Sequence, residues 1–154
     1  MNRTIKRCLM IGGILMLLSG CFKSYTFTNI TQLSFRYTKG YAMYADVEYT
    51  LRSNDNVYTV TIKPHGVADE NADTFIVDEA FVNEITQLLS TYKVEKWNNY
   101  RKSDLHVLDG DSFDFHIINE KGESLSALGY EKWPKNYREV KEGLDNLFMS
   151  LYSK

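Results

Sequence analysis

A chain of 154 residues carrying 18 basic and 20 acidic side chains can bury one sizeable core and is short for two domains. Its net charge of −2, with no basic block, lacks the electrostatic footprint of a nucleic-acid binder. No internal repeat, low-complexity tract or linker divides it.

The chain starts basic, with Arg3, Lys6 and Arg7, and continues into an apolar stretch of ten residues from Leu9 to Leu18. Crossing a bilayer takes about 20 such residues, whereas a signal-peptide core takes about 7–15. Gly12, Gly13 and Gly20 further weaken a long helix here. The stretch closes on Leu17-Leu18-Ser19-Gly20-Cys21. In this order the three features resemble the signal peptide and lipobox of a bacterial lipoprotein. The resemblance implies cleavage between Gly20 and Cys21, removal of residues 1–20, and acylation of Cys21 as a membrane anchor. Phe22 stands where many Gram-negative lipoproteins carry an inner-membrane retention Asp, which points to the outer membrane. In a Gram-positive host the anchor would lie on the outer face of the cell membrane.

Processing would leave 134 residues with 15 basic and 20 acidic side chains, a net charge of −5. Cys8 would depart with the signal and Cys21 would carry lipid, so the domain has neither thiol nor disulfide. Its stability must come from packing, to which 21 aromatic residues, all beyond residue 20, can contribute. Residues 21–31 read as the lipidated cysteine and a tether, and 32–154 as one domain.

Within that domain Leu33, Phe35 and Tyr37 alternate with polar residues and predict a strand. After Lys39-Gly40, a second alternation runs through Ala45, Val47, Tyr49 and Leu51, opposite Tyr44, Asp46, Glu48 and Thr50. Ser53-Asn54-Asp55-Asn56 is turn chemistry, and Tyr58, Val60 and Ile62 resume the apolar face. The three strands predict a meander with one wet side. Asp78 is a helix N-cap with a staple between Val77 and Val82, ahead of the helical stripe Phe81, Ile85, Leu88, Leu89, Tyr92. A long loop is expected from Lys93 to Asp111. Phe113, Phe115 and Ile117 then form a strand, Asn119-Glu120-Lys121-Gly122 a turn, and Leu125 to Tyr130 the return. Asn136 and Glu139 read as a capping box before a second stripe of Tyr137, Val140, Leu144, Leu147, Phe148 and Leu151. The expected fold is α+β: an antiparallel sheet of about five strands, ordered β-β-β-α-β-β-α, with two helices on one face.

Trp97-Asn98-Asn99-Tyr100, the run Val107 to Phe113, Gly129-Tyr130 and Pro134-Lys135-Asn136-Tyr137 together resemble a small domain of uncharacterised bacterial proteins, often exported or lipid-anchored. The resemblance covers roughly residues 95–150, departs from the more frequent Gly-Phe at Asn99-Tyr100, and implies no catalytic residue. Each motif also has a structural role to offer. Asp109-Gly110 suits a turn launching the strand at Ser112, and Trp97 could plug the open end of the core. The loop nevertheless mixes Trp97, Asn98 and Tyr100 with Lys96, Arg101 and Lys102, and Tyr130 and Trp133 follow on a later connection. Long loops are often functional, and Trp, Tyr and Arg are enriched at interface hot spots. Trp97, Asn98, Tyr100, Arg101, Tyr130 and Trp133 are therefore the candidate partner-binding surface.

No Gly-x-Ser-x-Gly elbow, His-Glu-x-x-His or phosphate-binding loop occurs. His65, His106 and His116 lack ligand spacing, and His116 should lie on the wet side of its strand. Asp69-Glu70-Asn71-Ala72-Asp73 imitates the start of a calcium loop but lacks the sixth-position Gly and has Ala80 at position twelve. The sequence thus predicts no cofactor, no metal and no enzyme. It predicts a lipid-anchored envelope protein that captures a protein partner, in the manner of an inhibitor or immunity protein. The alternatives are a structural or assembly accessory of the envelope and, less favoured, a hydrolase with an unrecognised site.

Overall fold

The computed structural model describes residues 25, 27–40, 47–64 and 66–153. The expected signal with Gly20, the expected lipidation site Cys21, Tyr44 to Asp46 and His65 lie outside them. The chain runs β1 (Ile30–Thr38), β2 (Val47–Asn54), β3 (Val57–Pro64), β4 (Asp73–Val77), α1 (Glu79–Thr91), β5 (Tyr100–Ser103), β6 (Ser112–Asn119), β7 (Ser124–Tyr130) and α2 (Tyr137–Met149). Short 3-10 turns occupy Asp69–Asn71, Val94–Trp97 and Ser150–Ser153. No helix of the described residues is long and apolar enough to cross a membrane.

The α+β reading holds, and its sheet is wider than expected. Seven strands pair in the order β4-β3-β2-β1-β6-β7-β5. The meander β1-β2-β3 and the β6-β7 hairpin are antiparallel, while β5 lies parallel to β7. The five expected strands are those whose alternation is cut by burial on one side. Phe75, Val60, Leu51, Leu33, Ile117 and Leu125 form one row across the core face, and Ile62, Tyr49, Phe35, Phe115 and Ala127 the next. Behind them Thr74, Thr61, Thr50, Ser34, His116 and Ser126 form the corresponding polar row, which places His116 on the wet side.

The two unexpected strands are the edges. In β4, Ile76 is 81% exposed, and in β5 only Tyr100 is even half-buried, so neither shows a one-sided apolar pattern. Both are strands because a neighbour offers a ladder of backbone partners, which composition does not reveal. The parallel sense of β5 corrects the all-antiparallel expectation. It follows from placing β5 beside β7, its second successor, rather than beside β6.

Helix α1 starts as expected. The Asp78 carboxylate accepts from the Phe81 backbone N–H at 3.0 Å. Phe81, Val82, Ile85 and Leu89 are buried, and Val77 packs against the same core. Helix α2 buries Val140, Leu144 and Phe148. Tyr49 stacks on Phe148 at 4.5 Å and donates its hydroxyl to Asp145 at 2.9 Å, fastening α2 to β2. The β6-β7 turn also follows expectation, with Gly122 at φ +72. The buried Asn119 side chain closes it, its Oδ1 accepting from the Lys121 and Glu123 N–H groups.

The capping box at Asn136 is not formed. Asn136 sits at φ +63, and its side chain makes no cap to α2. Its amide donates instead to the Tyr92 carbonyl at 3.0 Å, one of the carbonyls that α1 leaves unpaired at its C-terminus. A left-handed backbone turns the side chain away from the helix it precedes, so it ties the end of α1 to the start of α2. Both Asn136→Gly and Asn136→Ser should lose this bond, at about 1 kcal/mol. Ser should cost about 1 kcal/mol more through the left-handed strain, an order that a true cap would reverse. Denaturant midpoints of the two variants decide between them.

Burial raises the Tyr49 hydroxyl far above its ordinary range, with the Asp145 carboxylate adding to the effect. Burial likewise pushes Tyr25 up to about 12, with Glu123 adding. A tyrosine whose folded value is raised stabilises the fold fully below its unfolded value of about 10 and loses that contribution as pH rises. Stability should therefore stay level in this respect to about pH 10 and fall from there through about 12. Tyr49→Phe should flatten the decline, as read from denaturant midpoints across pH 8 to 12.

Candidate functional site

Phe113, near the start of β6, organises the region to which the six candidate residues belong. Its ring meets Trp97 at 6.2 Å, Tyr100 at 6.3 Å, Trp133 at 5.7 Å and Tyr137 at 4.7 Å. Trp97, Tyr100 and Trp133 therefore share one neighbour. They do not form one flat patch, because Trp97 is buried while Tyr100 and Trp133 are partly exposed.

Trp97 is 2% exposed and belongs to the core. Its indole also touches Phe115 and Tyr137, and Nε1 donates to the Lys135 carbonyl at 3.0 Å. A large ring satisfied in this way cannot offer its face to a partner, so the candidate surface loses Trp97 as a direct contact and keeps it as support. The plug at the end of the core is the role its burial fits.

Asn98, Tyr100 and Arg101 lie together along the β5 edge. The exposed Asn98 accepts from the Ser126 N–H at 3.4 Å, and the Asn99 N–H donates to the Ser126 carbonyl at 2.9 Å. Arg101 is exposed opposite Leu128 of β7, and Lys102 places its ammonium 5.5 Å from the centre of the Tyr100 ring. Half-burial raises the Tyr100 hydroxyl above its usual value.

Tyr130 is a brace. Its hydroxyl accepts from the Gly110 N–H at 2.8 Å and lies 3.0 Å from the Val107 and Leu108 carbonyls, to one of which it donates. Gly110 is needed for close approach, since a Cβ there would collide with the Glu131 and Tyr130 side chains. Glu131 accepts from the Asp111 N–H at 2.5 Å, and Lys132 pairs with Asp104 at 2.9 Å. The Lys132 ammonium holds the Asp104 carboxyl below its ordinary range, helped by the His106 backbone N–H. The segment from Asp104 to Asp111, part of the long loop expected from Lys93 to Asp111, is thus fastened at both ends.

That fastened loop carries two residues that sequence reasoning missed. Leu105 is 84% exposed and Leu108 is 91% exposed, with the partly exposed Val107 between them. Their signal was two leucines inside a charged loop, which periodicity does not register. Half-exposed Leu128 adds apolar surface on β7.

Trp133 lies against Phe113. It stacks on Tyr137 at 4.6 Å and remains 38% exposed at a cleft of about 630 Å³. Tyr37, Asp111, Pro134, Tyr137 and Lys141 also line this cleft. A smaller hollow of about 200 Å³ lies between Tyr100, Trp97 and the Pro134–Asn136 connection.

The calcium-like segment forms the 3-10 turn Asp69–Asn71, with Asp69 paired to Lys63. Among the described residues no group of three or more His, Cys, Asp or Glu side chains could hold a metal ion. His106 lies in the fastened loop and His116 in mid-sheet, in different elements. A search of protein-family models, of curated proteins and of solved structures finds no match to this chain.

Tyr130→Phe keeps the ring and removes the acceptor for the Gly110 N–H. Amide exchange at Gly110 should accelerate at least tenfold, while exchange in β1 and β6 stays unchanged. Equal exchange at Gly110 in both proteins, followed by NMR, would show that the loop is held without this hydroxyl.

Proposed function

We propose that this protein is a lipid-anchored envelope protein that captures a protein partner through the β5 edge and the Leu105–Leu108 loop. The carrying observation is the pair of leucines held almost wholly in water on a loop fastened by Tyr130, Glu131 and Lys132. Singly exposed leucines are ordinary, but two on one short loop tied to the Tyr130 end of β7, next to the edge strand β5, supply apolar surface near backbone groups available to a partner strand. Holding the loop in place beforehand lowers the ordering cost of association. Arg101, opposite Leu128 on β7, supplies positive charge beside this surface, which suits a partner with acidic groups around an apolar centre.

The anchor fits this arrangement. Tyr25 is the fourth residue after Cys21, a reach of at most about 14 Å. Lipid on Cys21 would therefore hold the Ile30 end of β1 near the bilayer. The nine residues of β1 span about 30 Å to Thr38. Thr38 pairs with Ser112, Ser112 with Tyr130, and Tyr130 with Ser103, so the leucine loop stands at the far end of the sheet. The partner would be met away from the membrane.

Two measurements test the reading in one preparation. Mass spectrometry of the native protein should find an N-terminus at acylated Cys21, and a product beginning at Met1 would remove the anchor. A photo-crosslinker at Arg101 in whole cells should capture a discrete partner, and Leu105→Asp with Leu108→Asp should reduce capture at least tenfold without changing the thermal midpoint. Undiminished capture in that double variant would remove the proposed surface.

A further inference from the structure

The cleft beside Trp133 is separate from the leucine loop and calls for its own occupant. It is bounded by the end of β1 at Tyr37 and Thr38, the start of β6 at Asp111 and Ser112, the Trp133–Asn136 connection and the first turns of α2. At about 630 Å³ it falls within the roughly 300–1,000 Å³ of small-ligand clefts. It is too large for a single anchoring side chain.

The lining joins an aromatic platform to polar groups that already have partners. Trp133 is steadied by stacking on Tyr137 and by Phe113, yet part of its indole stays open to water. The Lys141 ammonium sits 3.8 Å from the centre of the Tyr37 ring and pairs with Asp145 at 2.6 Å. Arg138 pairs with Glu142 at 2.9 Å, and one Asp111 oxygen accepts from the Gly40 N–H at 3.1 Å. A charged ligand would compete with these pairs. A neutral ligand would leave them intact and still find hydrogen-bonding oxygens and hydroxyls on Asp111, Ser112, Thr38 and Glu139.

We propose that this cleft binds a neutral sugar ring of a glycan, stacked on Trp133 with its hydroxyls turned toward Asp111 and Glu139. A pyranose has an apolar C–H face that an indole can cover and a rim of hydroxyls that need acceptors and donors. The cleft supplies both, and its Arg138 and Lys141 cations are already paired. This site depends neither on the lipid anchor nor on the exposed leucines, although its Asp111 also closes the fastened loop.

The test is calorimetric titration of the full chain with three neutral oligosaccharides: chitotetraose, maltotetraose and cellotetraose. At least one should bind saturably and shift the tryptophan emission. Trp133→Ala should weaken that binding at least tenfold, Trp133→Phe should retain most of it, and Glu139→Gln should weaken it several-fold. The thermal midpoints of Trp133→Phe and Glu139→Gln should stay near that of the parent, which separates lost contact from lost fold. Failure of all three sugars to bind would overturn the proposal. So would binding that Trp133→Ala and Glu139→Gln leave unchanged, or preferential uptake of an apolar peptide such as N-acetyl-phenylalanyl-leucine amide in the same cleft.

Discussion

The contact between Phe113 and the rings around it holds the second half of the molecule together. Phe113 reaches Trp97 from the segment after α1, Tyr100 from β5, Trp133 from the connection after β7, and Tyr137 from α2. Offset and edge-on aromatic pairs contribute about 0.5–1.5 kcal/mol each beyond their buried area. The described residues include no cysteine that could share this task through a disulfide. Gly129, opposite Phe113 on β7, leaves space for the ring, since a Cβ there would collide with it. Remove that space or that ring, and β5, the connection and α2 lose their common seat.

The same seat explains why two surfaces of different chemistry lie so close together. Tyr100 leads to the β5 edge, beside which Tyr130 holds the leucine loop. Trp133 and Tyr137 form the wall of the cleft. Both depend on side chains whose backbones are fixed by the sheet, so neither has to be assembled when a partner or ligand arrives. Rigid placement of this kind reduces the ordering cost of binding. It also accounts for Trp97, which acts on both surfaces by supporting Phe113 from beneath while presenting nothing to solvent.

The elements legible beforehand were those with a repeating contrast between an apolar and a polar side. Leu33 and Phe35, Val60 and Ile62, and Phe113, Phe115 and Ile117 are buried as their spacing requires, and the stripes of both helices are buried or half-buried. The edge strands β4 and β5 escaped because an edge has water on more than one side. Ile76 is exposed although it is a strand residue, and Arg101 and Lys102 have no reason to alternate. Asn136 was read as a cap because its residue type and its spacing to Glu139 fit one. Only its backbone angle reveals that the side chain serves Tyr92 instead. Trp97 was grouped with Tyr100 by proximity along the chain, and three residues proved enough to separate a buried ring from an edge.

By itself the sequence determined the local facts: which segments alternate, where Asp78 starts a helix, where Gly122 turns the chain, and that the domain carries no cysteine beyond Cys21. These depend on neighbours one to four residues away. The tertiary structure decided how the sheet is ordered, that β5 lies parallel to β7, that the loop from Asp104 to Asp111 is fastened by Tyr130 and Glu131, and which aromatic rings remain open to water. Those outcomes rest on contacts between residues about 20 or more positions apart. Burial and hydrogen bonding across such distances depend on the whole packed arrangement, which no local pattern encodes.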